Sequence, residues 1–421
     1  MRPWSTPVPV LTLLTVLAAP VGSANAAPSR APWTGAWAAA VQPPLGETFA
    51  GPNWSEEGFA DQSLRQVVRV STGGTRLRIR LSNLYGETPL RVAGASVGKA
   101  GPQATVRPGT LRPLRFAGST SAVIAPGRET ASDAIALPTA PLDRLSVTLY
   151  LARPTGPATF HAFAVTPSYR ATGDHRSASG GGAFAQADPT ASWYYLTGVD
   201  VAGGRRRGAV VAFGDSITDG VSSSFDADDR YPDQLAERLA AAGRPAGVLN
   251  TGIAGSRVLH GSRCHGEASA ARFTRDALAR PGVRTVVVLS GVNDIIDTPC
   301  DRDGAAPSPP VTAEQLIDGH RALIRAARGR GIAIVGATLT PFQAAAQHSA
   351  EREAVRAAVN RWIRAGGEYD AVADLDRALA QPGDEGRLAA AYDAGDGLHP
   401  NDAGLQLIAD TVADALKTAE R

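Results

Sequence analysis

The sequence predicts a parallel α/β domain preceded by an all-β, sandwich-like domain. Three observations lead to that reading. Between residue 33 and about residue 200, many short strand-like runs are separated by turn residues, with no helical stretch among them. From residue 209 the pattern changes to strands alternating with helices. The strands of this second half are unbroken runs of Val, Ile and Leu, which suit a sheet covered on both faces.

The chain opens with a processing signal. Arg2 precedes an apolar run at 8–19, followed by Ala24-Asn25-Ala26, the small-x-small form cut by signal peptidase. The run is shorter than the roughly 20 apolar residues a bilayer span needs, so a leader cleaved after Ala26 is expected, not a stable membrane anchor. The mature protein is thus expected to be secreted. What remains exceeds one average domain of about 100–200 residues, and two are expected, a β-sandwich-like domain at 27–204 and an α/β domain at 205–421.

In the first domain, 77–81 and 145–151 alternate apolar and polar residues, as half-buried antiparallel strands do. Runs at 66–70, 90–94, 122–124, 159–163 and 193–199 fit the same mould. Turn residues separate them, among them Gly73-Gly74, Pro108-Gly109, Pro126-Gly127, Pro154 and Gly156. The glycine- and arginine-rich stretch at 203–208 marks the boundary. Beyond it, strands are expected at 209–213, 248–250, 285–289, 332–335 and 371–373. Helices are expected at 231–242, opening on Pro232 and closing before Gly243, at 268–279, from Thr312, and at 402–417. Thr312 with Gln315 three residues on is a capping box.

Composition narrows the function. With 43% apolar and 19% charged residues the chain is an ordinary globular one, and a net charge of +2 argues against a nucleic-acid partner. Lys99 and Lys417 are the only lysines, so the positive charge is arginine almost throughout. In an exported chain, the two cysteines, Cys264 and Cys300, predict one disulfide. Cys264-His265 lacks the spacing of a chelating motif, so no metal site is expected there.

Four short segments carry the chemistry. Ser216 follows the 209–213 strand, Gly255 follows 248–250, and Asn293 follows 285–289. A parallel sheet delivers such groups to one edge, at the carboxyl ends of its strands. Asp396 and His399 lie three residues apart on the loop before the last helix. There the carboxylate can accept from Nδ1–H while Nε2 faces Ser216, which makes a nucleophile, a base and an orienting acid. The backbone N–H groups of Ser216 and Gly255 and the Asn293 amide are candidate donors to an oxyanion. His399 is the only one of seven histidines with a carboxylate in this relation. His161, His175, His260, His265, His320 and His348 read as surface or packing residues. A disulfide between Cys264 and Cys300 would tie the loops that carry Gly255 and Asn293.

Gly214-Asp215-Ser216, the glycine of Asn250-x-Gly252-x-x-Gly255, the asparagine of Gly291-x-Asn293-Asp294, and Asp396-x-x-His399-Pro400-Asn401 resemble the four blocks of the SGNH or GDSL hydrolases. The resemblance spans roughly 208–417. It implies a flavodoxin-like α/β/α fold and ester hydrolysis through an acyl-enzyme, without metal or cofactor. It also implies the triad Ser216, Asp396 and His399, with Ser216, Gly255 and Asn293 as the oxyanion hole. The preceding β region, with Asp229-Arg230-Tyr231-Pro232-Asp233, is similar to the xylan-esterase-like branch of that family.

The expected function is a secreted serine esterase that removes short acyl groups, acetyl first, from a small glycoside or polysaccharide. The same triad would serve an extracellular lipase or phospholipase, but the loops at 221–230 and 297–310 are rich in Ser, Asp and Pro and offer no long apolar lid. A third reading is a carbohydrate-binding protein with a vestigial hydrolase domain, for which Trp33, Trp37, Trp54 and Trp193 are candidates for a sugar platform or for core packing. One G-x-S-x-G match, at 94–98, lies in the β region with no helix after it and is read as chance.

Overall fold

Period-two alternation in the first half builds two antiparallel sheets. The computed structural model describes Met1, Trp4 and residues 33–48, 50–204, 208–297, 300 and 310–419. The leader expected at 1–26 therefore lies almost wholly outside the described residues. The principal strands are β1 (Thr34–Ala38), β2 (Gln62–Arg69), β3 (Gly74–Asn83), β4 (Gly94–Lys99), β5 (Arg112–Pro113), β6 (Arg128–Ala131), β7 (Ile135–Thr139), β8 (Arg144–Leu151), β9 (Ser168–Thr172) and β10 (Leu196–Ala202). One sheet runs β1-β10-β3-β6, with β7 also paired to β3; the other runs β9-β2-β8-β4-β5.

Leu77, Ile79 and Leu81 of β3 and Leu145, Val147, Leu149 and Leu151 of β8 meet in one core. On β3 the intervening Arg78 and Arg80 turn outward, and both pair with Asp200, at 2.8 and 2.7 Å. Trp37, Trp54 and Trp193 belong to this core, so they pack the sandwich and offer no exposed sugar platform. Trp33 lies beneath the Arg78 guanidinium.

The second half contains β11 (Ala209–Gly214), β12 (Gly247–Asn250), β13 (Val283–Leu289), β14 (Ala333–Ala337) and β15 (Ala371–Ala373). All neighbours are parallel, in the order β12-β11-β13-β14-β15. With the first two strands exchanged and the rest in sequence, this is the flavodoxin-like order, whose switch point lies beside β11. The helices are α1 (Ser216–Asp219), α2 (Tyr231–Ala241), α3 (Ser269–Phe273), α4 (Val292–Ile296), α5 (Ala313–Arg328), α6 (Ala350–Ala365), α7 (Leu375–Leu379) and α8 (Asp402–Ala419). Val211, Phe213, Val286 and Val288 pack one face of the sheet under α5 and α6. Val210, Ala212, Val287 and Leu289 pack the other under α2 and α8. The result is three layers.

Local signals account for most helix starts. At Thr312 the side chain accepts from Gln315 N–H at 3.2 Å and the Gln315 side-chain Oε1 accepts from Thr312 N–H at 2.8 Å, closing the capping box. The expected helix at 268–279 begins as α3 and continues as a π turn over Thr274–Leu278. Sequence patterning did not assign α6. Its apolar stripe is thin, Val355, Val359 and Ile363 among alanines and arginines, yet Ser349 caps it by accepting from Arg352 N–H. Among the described residues no helix is long and apolar enough to cross a membrane.

From residue 33 to residue 419 the described residues pack as one compact unit. The halves meet where β1 lies along β12. Ser71 Oγ accepts from Val248 N–H and donates to the Ala36 carbonyl, each at 2.7 Å, and Gly35 N–H donates to the Pro281 carbonyl at 2.8 Å. The approach leaves no room for a Cβ at Gly247, which would collide with the Gly35 carbonyl. Gly247→Ala is expected to destabilise the fold by about 1–3 kcal/mol, the usual cost of overpacking a tight contact. Thermal unfolding checks this; an unchanged melting temperature would mean the junction can open at no cost.

Candidate active site

β11 ends at Gly214, and the chain turns directly into the short helix α1, so Ser216 stands at the carboxyl edge of the sheet. Asp215 caps that turn, its Oδ1 accepting from Ile217 N–H at 3.2 Å. Ser216 Oγ lies 2.9 Å from His399 Nε2, and His399 Nδ1 lies 2.6 Å from Asp396 Oδ2. The other Asp396 oxygen accepts from the backbone N–H groups of His399 and Leu398, at 2.8 and 2.9 Å. Asp396 is an acceptor to Nδ1–H, so Nε2 presents its lone pair to the serine hydroxyl. Burial alone would raise the Asp396 carboxyl, but the hydrogen bonds from His399 outweigh it and hold the group well below the usual carboxylate range. The loop is secured further on by Asn401, whose Oδ1 accepts from Gly404 N–H at 3.0 Å and so caps α8.

Two of the expected oxyanion donors, Gly255 and Asn293, lie after β12 and β13, the strands on either side of β11. Gly255 adopts φ +77°, and the His265 ring occupies the space where a side chain would project. Asn250 fastens the start of this loop to α1, donating to the Thr218 carbonyl at 2.8 Å and accepting from Gly252 N–H at 2.9 Å. Asn293 lies in the first turn of α4, and its Nδ2 donates to the Ser256 carbonyl at 3.2 Å. Asp294 beside it accepts from the N–H groups of Val258 and Leu259, at 2.7 and 3.0 Å. Burial pushes its carboxyl up to about 6 against the pull of those two donors. Cys264 and Cys300 are joined, with Cα atoms 5.7 Å apart, so the loop carrying His265 is tied to the chain that follows α4. Most of the expected 297–310 loop lies outside the described residues.

All five expected site residues except Asp396, which stands behind the histidine, line one cavity of about 250 Å³. Its apolar wall is Val221, Ala254, Ile296 and Leu398, and its remaining polar groups are His265 and Gln347. A larger cavity, about 340 Å³, lies in the β half beside Ser96 and Arg176, and no member of the triad lines it.

Several site residues escaped the sequence reading. His265 lines the cavity, although the sequence marks it only as a loop histidine, and its place beside Cys264 sets it near the loops that carry Gly255 and Asn293. Nothing in the local sequence marks Gln347. Arg272 is fully buried and donates to the carbonyls of Thr251 and Gly214, at 2.7 and 2.9 Å, and to Ser256 Oγ at 3.3 Å. His320, by contrast, is a buried packing residue hydrogen-bonded to the Tyr369 hydroxyl at 2.6 Å, and burial pushes it down to about 4. The motif stretch at 229–233 turns away from the cavity: Arg230 is buried against Trp193 and donates to the Ala164 carbonyl at 2.9 Å.

Asn293→Ala is expected to lower kcat about 10²–10³-fold, the loss typical of one oxyanion donor. Steady-state kinetics on a soluble ester measures it, and a change below about threefold would remove Asn293 from that role. Asp215 makes a pH-dependent prediction. Burial raises its carboxyl from 3.8 to about 7, against the Ile217 N–H and the charge of His399, and its Oδ2 has no hydrogen-bond partner among the described residues. A folded pKa above the unfolded one means stability is intact below about pH 4 and is lost as the pH rises through about 7. Asp215→Asn carries no such loss, so its melting temperature relative to wild type should increase from pH 4 to pH 8. A difference constant across that range would contradict the buried-carboxyl account.

Residues 212–407 match the sequence profile of the GDSL-like Lipase/Acylhydrolase family. No curated protein matches the chain. Among solved structures, an acetyl xylan esterase is 22% identical, with a TM-score of 0.37, covering 49% of this chain and 99% of its own. An acetyl xylan esterase from Geobacillus stearothermophilus is 21% identical, with a TM-score of 0.36, covering 50% of this chain and 94% of its own. A lipase/acylhydrolase from Enterococcus faecalis is 20% identical, with a TM-score of 0.38, covering 50% and 95%. With the serine, histidine and aspartate in hydrogen-bonded sequence at the sheet edge, the chain carries a domain of the GDSL-like lipase/acylhydrolase family and is a serine-dependent carboxylic ester hydrolase.

Proposed function

We propose that this protein is an exported esterase that removes short acyl groups, acetyl first, from a carbohydrate. The observation that carries the reading is the size and lining of the space in front of Ser216. At about 250 Å³ it falls below the 300–1,000 Å³ common for pockets that enclose drug-sized ligands. Val221, Ala254, Ile296 and Leu398 suit a short acyl chain, and His265 and Gln347 offer hydrogen bonds to a hydroxylated alcohol. Export is supported by the leader pattern at 1–26 and by the Cys264–Cys300 bridge, since such bonds persist in oxidising compartments.

The proposed roles imply an order of events. His399 Nε2 takes the Ser216 proton as Oγ attacks the acyl carbon, and Asp396 stabilises the imidazolium that forms. The carbonyl oxygen becomes an anion facing the Ser216 and Gly255 N–H groups and the Asn293 amide. Collapse expels the alcohol, which receives its proton from His399, and leaves an acyl-serine. Water, deprotonated by the same histidine, then releases the acid and restores the serine.

A chain-length series of p-nitrophenyl esters tests the proposal, with Ser216→Ala as the control that removes the nucleophile. Activity is expected to peak at two to four carbons and to extend to acetylated xylo-oligosaccharides. A maximum at about ten carbons or beyond would point to lipid esters and overturn the carbohydrate reading.

A further inference from the structure

The β half reaches the oxyanion loop through one buried pair. His161, on a short strand over Phe160–His161, is 3% exposed, and Asp219, the last residue of α1, is 2% exposed. His161 Nε2 lies 3.0 Å from Asp219 Oδ1 and 3.1 Å from the Phe163 carbonyl, and Nδ1 lies 2.8 Å from the Ala40 carbonyl. Carbonyl oxygens and a carboxylate only accept, so each ring nitrogen must carry a proton and the ring is a buried imidazolium. It is stacked on Trp193, with centroids 5.4 Å apart, which fixes its plane.

The second Asp219 oxygen accepts from Ala254 N–H at 2.8 Å, one residue before the oxyanion donor Gly255. Asp219 also feels the charges of Arg230 and Arg272. Those guanidiniums are engaged elsewhere, Arg230 with Asp233 at 2.6 Å and Arg272 with the carbonyls of Gly214 and Thr251. Among the described residues, His161 is the cation in direct contact with this carboxylate. Burial disfavours the charged ring, and the attraction of Asp219 with the three acceptors outweighs it, raising the His161 pKa above its ordinary value.

We propose that His161 is a positioning residue of the oxyanion hole: it holds the Asp219 carboxylate, and Asp219 holds the loop at Ala254 so that the Gly255 N–H meets the substrate oxygen. The β half is then a working part of the esterase, since it supplies the ring that sets a catalytic donor. This holds whichever ester is the natural substrate, so its test is independent of the carbohydrate reading.

The test is a double-mutant cycle on p-nitrophenyl acetate with His161→Leu, Asp219→Ala and the pair. Active sites are counted by the total p-nitrophenolate released by diethyl p-nitrophenyl phosphate. Each single change is expected to lower kcat per titrated site about tenfold or more, as small misplacements of catalytic groups do, with KM within about twofold. The double variant should be no slower than the worse single, because both act through one chain of contacts. His161→Gln, which keeps an N–H toward Asp219, should lose less, and it replaces His161→Leu in the cycle if that protein does not fold. A purely structural role would lower the melting temperature while leaving kcat per titrated site unchanged. That result, or losses that multiply in the double variant, would overturn the proposal.

Discussion

Arg272 is the cation on which the geometry of the site depends. Its guanidinium lies in the core over the Phe213 ring, 4.2 Å from the centroid, and donates to the carbonyls at the ends of two adjacent strands, Gly214 at the end of β11 and Thr251 just after β12. Parallel strands must stop hydrogen bonding to one another where their loops diverge, so their last carbonyls need other partners. A buried charge meets that need only if it is itself compensated, and Asp276 stands 3.5 Å away, one helical turn on. The arrangement holds the GDS turn and the start of the Gly255 loop against a common point. Ser216 and Gly255 can then face one cavity although 39 positions of sequence separate them.

The surrounding loops repeat this logic with weaker bonds. Asp294 gathers the backbone of Val258 and Leu259, Asn250 gathers α1, and Asp219 gathers Ala254. Each is a short polar side chain that replaces lost strand hydrogen bonds with local ones, as such residues do in turns. The β half closes the structure from behind. Gln42 donates to the Cys264 carbonyl at 3.3 Å and Tyr85 to Glu267 at 2.9 Å, so the loop bearing His265 rests on the sandwich. Arg144 pairs with Asp226 and Asp228, and Arg69 with Glu237, so the segment after the nucleophile is fastened there as well. None of the named residues lining the cavity comes from the sandwich, whose influence passes through the loops it supports.

The residues that meet in the candidate site were legible because each motif is local. Strand-end position can be inferred from an apolar run, and the Asp396–His399 spacing is itself the hydrogen-bonded unit, with three bonds inside four residues. The capping box at Thr312 follows from an equally short pattern. What escaped was either diluted or non-local. The stripe of α6 is thin because alanine and arginine fill most of its positions. Arg272 and His161 draw their meaning from partners far along the chain, 58 positions in both the Gly214 and the Asp219 contact. A buried arginine and an exposed one look alike in sequence. The stretch at 229–233 carries a likeness to one branch of the family, and the structure uses Arg230 at the junction between the halves.

Two aspartates near the serine show why residue type alone does not assign a role. Asp396 is about half exposed and receives three donors, so its ionised form is favoured and can accompany the imidazolium through each proton transfer. Asp215 is buried, has one backbone donor and finds no partner for Oδ2 among the described residues, so its environment favours the neutral acid. An ionised Asp215 beside Ser216 would place a second negative charge near the developing oxyanion and oppose it. Its service is instead the cap on α1, which needs a single accepting oxygen and no charge. Holding an unsatisfied oxygen in the core costs stability, typically about 1–3 kcal/mol. That cost falls on the turn that presents the nucleophile, where the cap on α1 holds the backbone in place.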